Sequence, residues 1–185
     1  MFAMTLRHSL LLLALVAVSA AADTPPAMVT PLTTVASVDL GRYVGTWYEI
    51  AKFPNRFQKQ CIGFTQADYR VRPDAAIEVV NRCRLADGKT EQVVGAARQL
   101  GGPTSATLEV RFAPAWLSFI PAVWGDYWII DLDPAYQLVA VSEPKREYLW
   151  ILARTNIVAP GAYQALLGRL EQKGFDLRKL VVTPQ

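Results

Sequence analysis

The sequence predicts an all-β domain, an eight-stranded antiparallel up-and-down barrel with one C-terminal α-helix packed outside it. Two observations support this fold class. Short runs of β-branched and aromatic residues recur from residue 45 onwards, and turn-forming residues separate them. From Pro160 to Gly174 the apolar residues instead recur at helical spacing, which is typical of one amphipathic helix.

The first 22 residues have the pattern of a secretory signal peptide. A positive region ends at Arg7-His8, an apolar run follows, and Ala20-Ala21-Ala22 satisfies the small-x-small cleavage rule. The apolar run is shorter than the ~20 residues that span a bilayer, so we expect cleavage and export. No cysteine follows the small residues, which predicts a soluble periplasmic protein without a lipid anchor.

The remaining chain divides into a linker and one domain. Residues 23–37 are rich in proline and threonine and predict a flexible linker before a domain over 38–185. A helical turn is predicted at 38–43, followed by strands at 45–53, 61–72, 77–84, 90–99, 106–112, 127–132, 137–142 and 148–154. A last short strand is expected at 177–182. Eight such strands can hide both sheet edges by closing into a barrel, which then either fills with side chains or holds one small ligand.

Composition excludes several classes of function. The only histidine is His8, inside the predicted signal peptide, so the mature chain has no histidine for Ser-His-Asp or Cys-His catalysis or for a haem ligand. Two cysteines are too few for a structural zinc site, and no metal or other cofactor is implied. The formal net charge of +3, without any basic run, argues against nucleic acid as a partner.

Three motifs in order resemble the lipocalin family. Gly45-Thr46-Trp47 matches the first family motif, and Arg154 matches the third. Ile130-Asp131-Leu132-Asp133 stands where the second motif lies, although its last two residues depart from the usual pattern. The span 38–185 is similar in particular to the bacterial lipocalins and the apolipoprotein D group.

The resemblance implies roles for individual residues. At the barrel floor, Gly45 lets the chain turn and Arg154 lies across the Trp47 indole, a structural arrangement. The residues expected to line a ligand cavity come from the resemblance and from strand alternation, with Trp128 added because it shares parity with Trp124: Tyr69, Val79, Asn81, Val110, Phe112, Trp124, Trp128 and Trp150. The small residues 95–97 are expected to thin one wall and leave room for the ligand.

Cys61 and Cys83 lie in consecutive predicted strands of an exported chain with no third cysteine, which favours a disulfide. A simple hairpin register would pair Cys83 with a residue near 65, so a bulge or loop at Cys61 is required. A pair of free thiols, one of them nucleophilic, is the alternative.

The connection over residues 113–124 has no charged side chain and should lie at the open mouth of the barrel. Its apolar side chains, which include Trp116, Leu117, Phe119 and Ile120, are costly to leave in water. Three uses remain open at this point: a lid over the mouth, a homodimer contact, or a transient contact with a membrane.

These observations predict a protein that binds, stores or transports a small hydrophobic ligand with one polar head, either a fatty acid or a lysophospholipid, in membrane lipid maintenance or scavenging. No catalytic residues are expected. One alternative is a lipid-modifying enzyme that uses Glu49 with Tyr69, and the other is a structural protein with a filled barrel.

Overall fold

The computed structural model describes residues 30–74 and 76–185. The predicted signal peptide lies outside these residues, as does the linker up to residue 29. Within them, nine strands form one antiparallel sheet: β1 Gly45–Lys52, β2 Cys61–Val71, β3 Ile77–Leu85, β4 Thr90–Gln99, β5 Thr107–Arg111, β6 Gly125–Leu132, β7 Leu138–Ser142, β8 Leu149–Ala153 and β9 Val181–Val182. Because β1 pairs with both β2 and β8, the first eight strands close into a barrel, which confirms the predicted fold.

The floor of the barrel is formed where β1 begins. The short helix α1, Leu40–Tyr43, precedes it, and the Asp39 side chain caps this helix by accepting hydrogen bonds from the Gly41 and Arg42 N–H groups. The β6–β7 turn lies at the same end of the barrel. Asp133 shapes this turn because its carboxylate accepts three main-chain N–H groups, including that of Gln137 at 2.6 Å.

Helix α2, Pro160–Gln172, covers the outer face of β6–β8. Its Leu166 and Leu170 are fully buried there, each worth about 2 kcal/mol of apolar burial. A bulge in β6 lies between Ile129 and Asp131 and turns the Asp131 carboxylate outward, where the Arg169 guanidinium of α2 binds both of its oxygens at 2.7 and 2.8 Å. The helix is therefore attached by packing and by one bidentate ion pair.

Two sequence-based expectations about the chain ends are wrong. Residues 30–37 are not a free linker, since Leu32 is buried in the cluster beneath α2 and the Val35 N–H donates to the Ile129 carbonyl at 2.9 Å. The last predicted strand begins with a 3-10 turn at Leu177–Lys179 and keeps strand geometry only in β9. Both segments are held by main-chain hydrogen bonds, which the pattern of side chains in the sequence does not predict.

The C-terminal tail fills a seam in the barrel wall. β1 pairs with β2 only over its first four residues, from Gly45 to Tyr48, and the two strands then separate towards the mouth. The tail crosses this gap: the Thr183 N–H donates to the β1 carbonyl of Ile50, and the Pro184 carbonyl accepts from the β2 N–H of Phe64. The upper wall is thus closed by tail residues instead of by direct β1–β2 pairing.

The predicted disulfide between Cys61 and Cys83 is present, with the Cα atoms 5.6 Å apart. The β2–β3 pairing shifts register twice, between Cys61 and Gly63 and again between Gly63 and Gln66. These irregularities absorb the register difference that a simple hairpin would leave. Phe64 sits in this region with a positive φ of 51°, consistent with a locally bulged strand.

Candidate functional site

The barrel interior is filled at the floor and open at the mouth. Strand pairing places Tyr69, Val79 and Gly95 in one interior row and Ala67, Asn81 and Val93 in the next row towards the mouth. Val79 is buried in the packed lower core, whereas Val93 is 45% exposed. The molecule is therefore a cup whose upper half presents apolar side chains to solvent.

The Arg154 side chain closes the floor, as the resemblance implied. Its guanidinium carbon lies 3.9 Å from the centroid of the fully buried Trp47 ring. Four of its hydrogen bonds go to main-chain carbonyls, those of Thr46, Tyr43, Arg42 and Tyr136. Gly45 has a φ of +100°, a conformation that favours glycine, and a Cβ there would lie 3.2 Å from the guanidinium.

Three tyrosines form a hydrogen-bonded chain just above the floor. The Tyr127 hydroxyl lies 2.7 Å from that of Tyr43 and 2.8 Å from that of Tyr69. Burial raises the pKa of Tyr69 to about 12 and also holds the pKa values of Tyr43 and Tyr127 well above the usual range. All three phenols are therefore neutral near pH 7. The sequence predicted that Tyr69 lies inside the barrel as a lining residue of the ligand cavity, and it did not single out Tyr127.

The predicted lining residues occupy two depths. Tyr69 and Val79 belong to the packed lower core, while Asn81, Val110 and Trp150 are half-buried nearer the mouth. The expectation that Gly95 thins the wall for a ligand needs correction, because the Phe112 ring lies over it, and a Cβ at Gly95 would meet this ring at 2.6 Å. The space above Gly95 is filled by an aromatic side chain that is itself 42% exposed.

Aromatic rings line one side of the mouth. Trp150 stacks on Tyr148 with centroids 5.7 Å apart, and Tyr148 contacts Phe57 at 5.6 Å. The indole N–H of Trp150 donates to Gln58 Oε1 at 3.1 Å, which fixes the ring orientation. This side of the cup offers flat apolar surfaces next to polar groups, a composition common in small-molecule sites.

The prediction that Trp124 and Trp128 line the cavity is wrong. Trp128 packs in the cluster between the barrel and α2, while its neighbour Tyr127 faces inward. The centroid of the Trp124 ring lies 4.1 Å from the guanidinium carbon of Arg98 and 5.2 Å from that of Arg111. Strand pairing puts both arginines on the outer face, so the two tryptophans share parity, as expected, but on the wrong side.

A polar cluster at the mouth was not found from the sequence. The Glu49 side chain is 3% exposed, and its carboxylate accepts hydrogen bonds from Gln58 and Thr183, each at 2.6 Å. Lys52 pairs with the same carboxylate at 2.8 Å. A bulge between Glu49 and Ala51 turns Lys52 to the inside, opposite Trp150 of β8. The available signal was Glu49 itself, a charged residue at the parity of buried Trp47.

The enzyme alternative paired Glu49 with Tyr69. In the structure these groups have other partners, since the Glu49 carboxylate is held by the mouth cluster and the Tyr69 hydroxyl bonds Tyr127 near the floor. The sulfur atoms of Cys61 and Cys83 lie close to the Glu91 carboxylate, but the disulfide leaves no thiolate there to bind a metal.

The connection over residues 113–124 forms two short 3-10 turns at the mouth. Trp116 is 72% exposed and Phe119 is 76% exposed, so these two rings are not buried by folding over the cup. Of the three uses considered for this loop, the lid is the one that this conformation disfavours. Across the described residues, no helix has the length and apolar character needed to cross a membrane.

A separate groove of about 600 Å³ lies outside the barrel, between α2 and the β6–β7 end. Its polar groups include Asp131 and Arg169, which are already joined to each other. This ion pair is already satisfied, whereas the cup offers partly exposed apolar and aromatic walls beside polar groups, so the interior of the cup is the better candidate site.

Comparison with known protein families agrees with the eight-stranded barrel fold described above. Residues 38–185 match the family model described as a lipocalin-like domain. The chain belongs to the lipocalin family. It is 37% identical over 173 residues to outer membrane lipoprotein Blc of Escherichia coli (strain K12), covering 93% of this chain and 92% of that protein. It is 34% identical over 154 residues to mouse apolipoprotein D, with 80% and 77% covered.

These two relatives confirm the predicted similarity to the bacterial lipocalins and the apolipoprotein D group. Among solved structures, insecticyanin from the tobacco hornworm Manduca sexta superposes with a TM-score of 0.65 at 17% identity. That superposition covers 83% of this lipocalin and 84% of insecticyanin. At this identity the likeness concerns the barrel fold, and lipocalins as a family bind small hydrophobic ligands.

Proposed function

We propose that this lipocalin binds and carries a single-headed hydrophobic ligand, a fatty acid or a lysophospholipid, in the upper half of its barrel. The observation that carries the proposal is the open, apolar upper cup, where Val93, Val110, Phe112 and Trp150 are only partly buried. Partly exposed apolar side chains inside a concave wall lower the free energy when a ligand covers them. The role requires no catalytic step.

The cellular role that fits is maintenance or scavenging of membrane lipids. The relative from Escherichia coli is named an outer membrane lipoprotein, and the first 22 residues of the present chain have the pattern of an export signal. We therefore place the mature protein in the periplasm, close to a supply of lipid.

Native mass spectrometry of freshly purified protein tests the ligand class directly, because a co-purified lipid adds its mass to the folded chain. Fluorescence titration with a fatty acid then tests the site. Replacing Trp150 by alanine removes an aromatic wall of the cup and is expected to weaken binding about tenfold without unfolding the barrel. Trp124→Ala is the matched control, because that ring lies outside. Equal affinity of wild type and Trp150→Ala would refute this location.

The loop over residues 113–124 is proposed to contact the membrane from which the ligand is collected. Its exposed rings, Trp116 and Phe119, suit the interfacial region of a bilayer, where aromatic side chains are favoured. In liposome flotation, wild type should float and the double variant Trp116→Ser/Phe119→Ser should not. A wild type that stays at the bottom but runs as a dimer would instead assign the loop to a homodimer contact.

A further inference from the structure

Lys52 occupies an unusual position for a lysine, because it faces the inside of the cup. The β1 bulge brings it opposite Trp150, and its side chain is only 15% exposed. Lysine is seldom found in such a place unless its charge is paired. In the described part of the chain the one polar contact found for its ammonium group is Glu49 Oε1, at 2.8 Å.

The Lys52 ammonium has more hydrogen-bond donors than its contact with Glu49 uses. The Glu49 carboxylate is well satisfied, since it accepts from Thr183 and Gln58 as well as from Lys52. An ammonium group carries three N–H donors, and the Glu49 contact uses one of them. The cluster therefore holds a fixed positive group with spare donors beside the apolar wall.

The surrounding contacts hold the ammonium next to the expected path of the ligand. Gln58 links the cluster to the wall, because its amide donates to Glu49 while its carbonyl oxygen accepts from the Trp150 indole and from Asn55. A ligand that packs on the Trp150 ring thus has its mouth-side end close to Lys52. The phenols at the opposite end of the interior are neutral, so the cation at the mouth is the better place for a negative charge.

We propose that the Lys52 ammonium binds the anionic head of the ligand, either a carboxylate or a phosphate, and so orients the tail towards the barrel floor. This inference rests on the proposed function and adds the head-group chemistry to it. A charge-assisted hydrogen bond in a partly dry site selects an anion over a neutral head of the same chain length.

Three ligands with the same sixteen-carbon tail separate the possibilities: palmitate, hexadecanol, and palmitoyl lysophosphatidate. Wild type should bind palmitate at least about tenfold more tightly than hexadecanol. Lys52→Met should remove this preference, and Lys52→Arg should largely keep it. Lys59→Met, at an exposed position in the β1–β2 connection, is the matched control and should change nothing. Comparing palmitate with lysophosphatidate shows which anion the site favours.

Glu49→Gln gives a readout that a purely structural ion pair would not produce. Without its carboxylate partner, the Lys52 ammonium should bind palmitate several-fold more tightly, while hexadecanol affinity stays the same. Should Lys52→Met fold poorly, the double variant Lys52→Met/Glu49→Gln removes both charges together and should also show no preference for the acid.

If wild type binds palmitate and hexadecanol equally, the head-group site is refuted and the proposed function is unaffected. A preference that survives in Lys52→Met would overturn the head-group site as well. Failure of wild type to bind any of the three ligands would instead defeat the proposed function itself, and the head-group site with it.

Discussion

Replacement of Arg154 by methionine tests whether the barrel floor is a structural seal. Methionine keeps an unbranched apolar side chain of similar reach but removes the guanidinium. That group contacts the Trp47 ring at 3.9 Å and donates to four main-chain carbonyls. The cation–π contact contributes about 1–2 kcal/mol in a partly desolvated site. Each charged hydrogen bond contributes about 1.5–3 kcal/mol when fully buried.

The total must be discounted, because Arg154 is only partly buried and carbonyls released at the floor can reach water. We therefore expect Arg154→Met to lower the free energy of unfolding by about 3–5 kcal/mol. Urea unfolding followed by tryptophan fluorescence measures this as a lower midpoint with an unchanged m-value. Binding of a fatty acid by the fraction that remains folded should be unaffected, since the floor lies below the open half of the cup.

Two controls make the interpretation specific. Arg154→Lys restores a charge but cannot reach carbonyls in several directions from one planar group, so it should recover only a small part of the loss. Arg178→Met removes an exposed arginine that pairs with Asp176 and should leave the midpoint unchanged. The structural role of Arg154 is refuted if Arg154→Met lowers the free energy of unfolding by less than about 1 kcal/mol, or if Arg154→Lys is as stable as wild type.

Three further predictions concern the walls and the core. Replacing both Cys61 and Cys83 by serine should lower stability by about 3 kcal/mol, the loop entropy of a bridge with a sequence separation of 22, and urea unfolding without reductant measures it. Burial raises the pKa of Tyr69 to about 12, so the contribution of Tyr69 to the free energy of unfolding is fully present below pH 10 and should be lost between pH 10 and 12. Across this pH range the urea midpoint of Tyr69→Phe should therefore fall less steeply than that of wild type. Gly95→Ala should cost about 1–3 kcal/mol, because its Cβ would lie 2.5 Å from the Arg111 carbonyl oxygen; an unchanged midpoint would contradict the tight fit with Phe112.

The strand order and the closure of the barrel were predictable because turn residues mark each strand end. Asp87-Gly88 is an example: Gly88 has a φ of +83°, and the main chain reverses there with a hydrogen bond between Leu85 and Lys89. The floor was predictable through the resemblance, since the Gly45-Thr46-Trp47 motif and Arg154 are far apart in sequence and only the family pattern joins them. The residues of each turn thus predict that turn locally, whereas the contact between Arg154 and Trp47 could be predicted only from the family resemblance.

Which face of β6 points inward could not be obtained from its sequence. Tyr127-Trp128-Ile129-Ile130 is apolar at every position, because α2 covers the outer face of this strand and makes both faces apolar. In β5, by contrast, the outer face carries Glu109, and alternation along the strand puts Leu108 and Val110 on the opposite, interior face. Trp128 was wrongly predicted to line the cavity because the outer face of β6, which α2 covers, is as apolar as the inner face.

The polar cluster at the mouth shows how a buried charge can reveal a break in strand regularity. Uniform alternation from Trp47 would put Glu49 inside and Lys52 outside, which leaves a carboxylate in the barrel without its nearest cation. Such an arrangement is costly, so a strand with this pattern must either expose Glu49 or bulge. One extra residue between Glu49 and Ala51 resolves the conflict by bringing Lys52 inside. The pairing of the charges at positions 49 and 52 is consistent with the irregularity of β1, and the same irregularity turns Lys52 to the inside of the cup.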